Sequence, residues 1–330
     1  MLDTTHPEIA FALEAAALAG QLARDVQKAL VEPAIEKNDK SPVTVADFAV
    51  QALVSCMLER SFPDDILVGE EDAAMLRAPE NEATLNSVTT FAGKYLAYAT
   101  PQTICAWIDR GGAQPGKRFW TLDPIDGTKG FLRKDQYAVA LALIEDGKVV
   151  LGALACPNLT DGHVLDPSGP GSVIVAARGN GCWTRALEST GPLTQLKVST
   201  IADGADARVL RSFESGHTNV SQLDILLEAM ANKAEPVRMD SQAKYAVLAA
   251  GKGDLLLRLL SSKQPDYKEM IWDQAAGSIV IEEAGGKITD LAGKALDFGA
   301  GRTLANNRGI LATNGLLHDA ALAAAKKINA

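Results

Sequence analysis

The run Tyr137 to Ile144 is the longest unbroken apolar stretch of the chain, and its eight residues have the length of a buried strand. It falls well short of the roughly 18 apolar residues that a membrane-spanning helix needs. After Glu145 comes Asp146-Gly147, and a second apolar run follows from Lys148 to Ala155. Asp-Gly between two such runs is the signal of a type I′ turn, whose two central residues both need positive φ. Residues 137–155 therefore read as a hairpin, broken at Pro157.

Helix and strand signals alternate around that hairpin. Residues 8–30 form an Ala/Leu-rich helix with Ile9, Leu13, Ala16 and Ala17 on one face. Thr44 has the chemistry of an N-cap for a second helix, running to about Phe62 and presenting Phe48, Ala52, Leu53 and Cys56. Ile66 to Gly69 is a short strand that empties into Glu70-Glu71-Asp72. A helix is expected around Thr84 to Tyr98, a loop at Gly111 to Gly116, and a strand over Phe119 to Leu122 ending at Asp123. Residues 157–170, rich in Pro, Gly and Asp, suggest a boundary between an α+β half, 1–160, and an α/β half, 161–330. In the second half, strands at 173–177, 208–212 and 254–260 alternate with helices at 219–231, 241–250 and 272–284. Gly285-Gly286 closes the last of these, and a final helix follows Asn314-Gly315. Such alternation predicts an α/β layered fold.

The net charge of −9 argues against a partner such as duplex nucleic acid, which needs a basic stripe. It leaves small phosphorylated ligands open, because bound metal ions can reverse a local field. The four cysteines, Cys56, Cys105, Cys156 and Cys182, are far apart and read as reduced thiols. Met1-Leu2-Asp3 lacks the basic start of a signal peptide. The expectation is a soluble cytoplasmic protein with no membrane partner.

The sharpest chemical feature is Asp123-Pro124-Ile125-Asp126-Gly127-Thr128. A strand ends there in a Pro-containing turn that aims two carboxylates, the Ile125 carbonyl and the Thr128 hydroxyl toward one spot. Hard cations such as Mg²⁺ take oxygen ligands of this kind. Taken alone, the segment also suits a solvated Asp-rich turn. Glu70 follows a strand, Asp47 lies in the first turn of a helix and Asp273 opens another, positions where acids are ordinary. Spacing does not show that these acids converge.

The residues nevertheless carry a resemblance. Asp123 to Thr128, with Trp120-Thr121-Leu122 before it and Lys129-Gly130-Phe131-Leu132-Arg133 after it, resembles the first signature of the inositol monophosphatase superfamily. Trp272-Asp273-Gln274-Ala275-Ala276-Gly277, running on to Glu283-Ala284-Gly285-Gly286, resembles the second, and Val68-Gly69-Glu70-Glu71 resembles the metal-ligand segment. Order and spacing fit over roughly residues 8–325. Within the superfamily, Lys129 to Arg133, Ser41 to Asp47, Asp240 to Tyr245 and Leu257-Arg258 are similar to the 3′(2′),5′-bisphosphate nucleotidases. The match is loosest at Glu214 to Asn219, and Lys134-Asp135 stands where that branch has Gly-Glu.

The resemblance implies an α/β/α/β/α sandwich and a Mg²⁺-dependent, lithium-sensitive phosphatase. Its substrate would be adenosine 3′,5′-bisphosphate, and 3′-phosphoadenylyl sulfate as well, in sulfur assimilation. Two to three Mg²⁺ ions would be held by Glu70, Asp123, the Ile125 carbonyl, Asp126 and Asp273, with a weaker site near Glu70 and Asp47. Asp47 and Thr128 would activate water. Gly127 and Thr128 N–H groups would hold the scissile phosphate, close to Asp273, while His217, Ser241, Lys244 and Arg258 would contact the nucleotide. Relatives of this branch are often monomers, and a monomer is expected. Two other readings stay open on the residues: an inositol monophosphate or 1,4-bisphosphate phosphatase, and a non-catalytic nucleotide or metal sensor.

Overall fold

The computed structural model describes residues 2–29, 34–36, 42–213, 220–260, 264 and 266–327. Helix α1 (Pro7–Ala29) is followed by a short ribbon of β1 (Ile35–Glu36) and β2 (Pro42–Val43), then by α2 (Val45–Ser61). Thr44 is the N-cap of α2: its hydroxyl accepts from Ala46 N at 3.1 Å. Strand β3 (Ile66–Gly69) leads to α3 (Glu82–Ala92) and α4 (Pro101–Asp109). The single helix expected over Thr84 to Tyr98 is thus cut short. Tyr98 takes a left-handed φ of 66°, and a new helix starts at Thr100-Pro101, where Thr100 Oγ1 accepts from Thr103 N at 3.2 Å.

Strand β4 (Arg118–Asp126), helix α5 (Thr128–Leu132) and the hairpin of β5 (Ala138–Glu145) and β6 (Lys148–Cys156) follow. Asp146 and Gly147 have φ of 47° and 74°, as the expected turn requires. A ribbon of β7 (Leu159–Thr160) and β8 (Val164–Leu165) precedes β9 (Ser172–Ala177), β10 (Cys182–Ala186) and β11 (Thr194–Leu196). These strands form one seven-stranded sheet ordered β11-β10-β9-β6-β5-β4-β3.

The boundary expected at 160/161 therefore falls inside a sheet. The Pro/Gly-rich stretch is the connection that returns the chain to pair β9 against β6, and the two sheets divide between Leu196 and Val209. The second sheet, ordered β13-β12-β14-β16-β15, uses β12 (Val209–Arg211), β13 (Val237–Arg238), β14 (Leu255–Arg258), β15 (Lys287–Thr289) and β16 (Ile310–Thr313). Its helices are α6 (Val220–Ala229), α7 (Ala243–Ala249), α8 (Ala275–Glu283) and α9 (His318–Lys327).

Strand alternation sets the layers. On β5, Val139, Leu141 and Leu143 pack into the core under α1 and α2, while Ala138, Ala140 and Ala142 face α7 and α8. The small residues let α8 lie close: a Cβ on Gly152 of β6 would sit 2.5 Å from Ile279 Cγ2. On β14, Leu256 joins that central core, and Leu255 and Leu257 pack with α6 and α9. The result is the α/β/α/β/α sandwich, with α7 and α8 between the sheets. Among the described residues, no helix is long and apolar enough to cross a membrane.

Candidate active site

Asp123 and Asp126 lie three residues apart on β4, which in a regular strand would put them on opposite faces. Their partners on β5, Ala140 and Ala138, are only two apart, so β4 carries a bulge. The extra residue turns Asp126 to the same face as Asp123, toward α7 and α8. The bulge also accounts for Pro124 in an interior strand, where a missing N–H would otherwise break the ladder. Ile125 keeps its side chain in the α1/α2 core, and its carbonyl accepts from Thr128 Oγ1 at 3.1 Å. Gly127, with φ of 86°, opens α5; a Cβ there would lie 2.8 Å from Ser241 Cβ.

Glu70 comes in beside this turn because β3 pairs parallel with β4 and Glu70 N donates to Leu122 O at 3.2 Å. The segment is pinned by Gln51, a fully buried residue of α2 with no sequence signal of its own. Gln51 Oε1 accepts from Glu71 N at 3.0 Å, and its Nε2 donates to Glu71 O and Ile108 O at 2.6 and 2.8 Å. Asp47 is buried in the first turn of α2, where its Oδ2 accepts from Thr44 N and Thr44 Oγ1, both at 2.7 Å. The capping role and the chemical role expected of Asp47 thus share one carboxylate. Asp273 does not open a helix as expected. Residues 271–274 close as a separate turn, with Gln274 N donating to Ile271 O at 3.2 Å, and α8 begins at Ala275.

Gln242 ties these pieces together. Its backbone N–H donates to Asp126 Oδ2, its side-chain amide donates to Trp272 O at 3.0 Å, and its Oε1 accepts from Gly277 N at 3.2 Å. It sits in the quoted Asp240 to Tyr245 motif, but the motif gave it no role.

The acids share one electrostatic field. Burial pushes the Asp123 carboxyl well above the usual carboxylate range, and Glu70, Asp126, Asp273 and Asp47 add to the shift. Asp273 is raised in the same way, chiefly by burial, with Arg258 opposing and Asp126, Glu269 and Glu70 adding. Among the described residues, no three acidic, His or Cys side chains close into a ready-made ion cage. A divalent cation fits this set: Asp123 Oδ1 is a buried oxygen with no hydrogen-bond partner, and its neighbours are acids whose repulsion a cation would relieve.

A cationic rim faces the acids. Lys244, half-buried on α7, donates to Ser241 O at 2.9 Å and Ser212 Oγ at 3.2 Å. Burial brings its ammonium down to about 8, against the pull of Asp126. Arg258 at the end of β14 pairs with Glu269 at 3.0 Å, and its Nε is buried without a partner. Glu269 also accepts from Gln274 Nε2 at 3.0 Å, and Gln274 from the Tyr245 hydroxyl. Ser241 takes a left-handed φ of 66°, and its hydroxyl accepts from Ala243 N at 3.1 Å. His217 and Ser41 lie outside the described residues.

The profile of the inositol monophosphatase family matches residues 5–330. The chain is 42% identical over 294 residues to a 3′(2′),5′-bisphosphate nucleotidase of Schizosaccharomyces pombe, covering 84% of this chain and 82% of that one. It is 42% identical over 326 residues to one of Oryza sativa, covering 93% and 90%. Among solved structures, the Thermotoga maritima IMPase superposes with a TM-score of 0.67 at 21% identity, covering 98% of each chain. An inositol monophosphatase from Anabaena gives 0.65 at 21% identity, covering 98% of this chain and 97% of that one; both likenesses concern the fold. The chain belongs to the inositol monophosphatase family, whose members depend on metal ions.

Proposed function

We propose that this protein is a Mg²⁺-dependent, lithium-sensitive 3′(2′),5′-bisphosphate nucleotidase, acting as a cytoplasmic monomer. It hydrolyses adenosine 3′,5′-bisphosphate to AMP and phosphate, and 3′-phosphoadenylyl sulfate to adenylyl sulfate. The observation that carries the substrate reading is the rim of cations beside the acids. Asp126, raised by burial, is drawn back first by Lys244 and also by Arg258. A substrate with a second phosphate has a use for two such cations, whereas a monoester does not. The names of the relatives at about 40% identity support the same substrate class.

Glu70, Asp123, the Ile125 carbonyl, Asp126 and Asp273 would hold two to three Mg²⁺ ions, whose charge eases water deprotonation and offsets charge on the leaving oxygen. The chain's own groups do the rest. The Thr128 hydroxyl, which donates to Ile125 O, turns toward Asp47 and takes up the water proton as it passes its own to that carboxylate. Water attacks phosphorus in line, the bond to the ribose 3′-oxygen breaks, and that oxygen takes a proton from solvent water to leave as the alcohol, while Asp47 returns the proton it gained to solvent. The Gly127 and Thr128 N–H groups steady the phosphate at the turn. Lys244 and Arg258 hold the 5′-phosphate, with Ser241 beside the nucleoside.

Lys244 supplies a pH test. It is charged below about 8 and neutral above it, so the clamp weakens as pH rises through that value. The kcat/KM for adenosine 3′,5′-bisphosphate should fall on the alkaline side, with no matching limb for a monoester such as inositol 1-phosphate. Lys244→Arg should carry the limb out of range, because a guanidinium stays charged. An identical limb on both substrates would remove Lys244 from the clamp.

A further inference from the structure

Arg302 belongs to none of the sequence motifs, yet it spans the junction between the two sheets. Its Nη2 donates to Gly69 O at 2.6 Å, and its Nη1 donates to Ala113 O at 2.9 Å and Gly111 O at 3.2 Å. The guanidinium lies over the Trp272 indole, 4.9 Å from the ring centroid, and the Arg302 carbonyl accepts from Ile271 N at 3.1 Å. One residue therefore holds the position just before Glu70 and the position just before Asp273. The Gly111 carbonyl it engages also accepts from Gly69 N at 2.9 Å, so the contact reaches the end of β3 twice.

We propose that Arg302 is a positioning residue that sets the separation of Glu70 from Asp273 and thereby tunes the affinity of the site for divalent cations. The inference rests on the reading that these two acids serve one metal site. A planar fork on three fixed carbonyls, with its face on an indole, defines both a distance and an angle. Lysine keeps the charge but has neither the fork nor the flat face. Glu70 and Asp273 repel each other, so the strut between their segments holds together groups that would otherwise part.

The test is a Mg²⁺ titration of melting temperature, without substrate, on wild type, Arg302→Lys and Arg302→Gln. Both variants should need roughly tenfold more Mg²⁺, or beyond, to match the wild-type rise in melting temperature over the chelator value, the range seen when a group supporting metal ligands is lost. A merely structural role would lower melting in chelator and leave the rise at each Mg²⁺ concentration in place. An unchanged rise in either folded variant overturns the proposal. Asp123→Asn separates the two levels. If wild type gains nothing from Mg²⁺, or Asp123→Asn gains as much as wild type, the metal site itself is misassigned and the role of Arg302 falls with it.

Discussion

Replacing Asp123 with Asn should lower phosphate release by about a thousandfold or more without weakening the metal-free protein. The side chain is 2% exposed, and Glu70, Asp126, Asp273 and Asp47 all act on it unfavourably. Its folded pKa lies above its unfolded one. The native state therefore binds the extra proton between the two values, and stability falls as pH rises through that window. At neutral pH the buried carboxyl costs the metal-free fold either a desolvated charge or the uptake of a proton, and Asn removes that cost. The melting temperature of Asp123→Asn in chelator should match or exceed that of wild type, while the gain on adding Mg²⁺ should vanish. A large drop in chelator with the Mg²⁺ gain intact would make Asp123 a structural residue. For the same reason, wild-type activity and Mg²⁺ stabilisation should both decline toward acid pH as the carboxylates take up protons.

Arg258→Ala should be the most destabilising single change at the site, by about 3–5 kcal/mol, because it leaves Glu269 buried and unpaired. Burial works against the Arg258 charge, but its neighbours, Glu269 first and then Asp273, more than restore it, so the guanidinium stays charged. Glu269 is held in turn through Gln274 and Tyr245. In urea unfolding, Arg258→Ala with Glu269→Gln should lose less than the sum of the two single changes. At a temperature where Arg258→Ala is folded, KM for the bisphosphate should rise roughly tenfold or more while a monoester is little affected. Additive losses would show that the pair is not coupled, and equal effects on both substrates would remove Arg258 from the clamp.

What could be read from the sequence follows from how local each signal is. Thr44, the Asp146-Gly147 turn and the apolar faces of α1 and α2 act within a few residues, and the structure keeps them all except Ala17, which is only partly buried. The capping pair Thr100-Pro101 is an equally local signal, and it marks the start of α4. At 157–170 a sheet connection and a linker share one Pro/Gly-rich composition, and only strand pairing tells them apart. At the site, strand parity alone sends Asp123 and Asp126 to opposite faces, and Pro124 is the one local hint of the bulge that reunites them. The approach of Asp47, Glu70 and Asp273 is tertiary, so only the resemblance to known signatures could supply it. Gln51 and Arg302 work through backbone carbonyls and amides distant in sequence, which no motif records.

The proposed nucleotidase pairs an acid cluster that would hold Mg²⁺ with a second phosphate clamp. Phosphate release with Mg²⁺ from adenosine 3′,5′-bisphosphate, inositol 1-phosphate, inositol 1,4-bisphosphate and AMP tests both halves at once. Strong preference for the first, with AMP left intact, is the predicted result. Preference for an inositol phosphate would preserve the acid cluster and contradict the roles given to Ser241, Lys244 and Arg258.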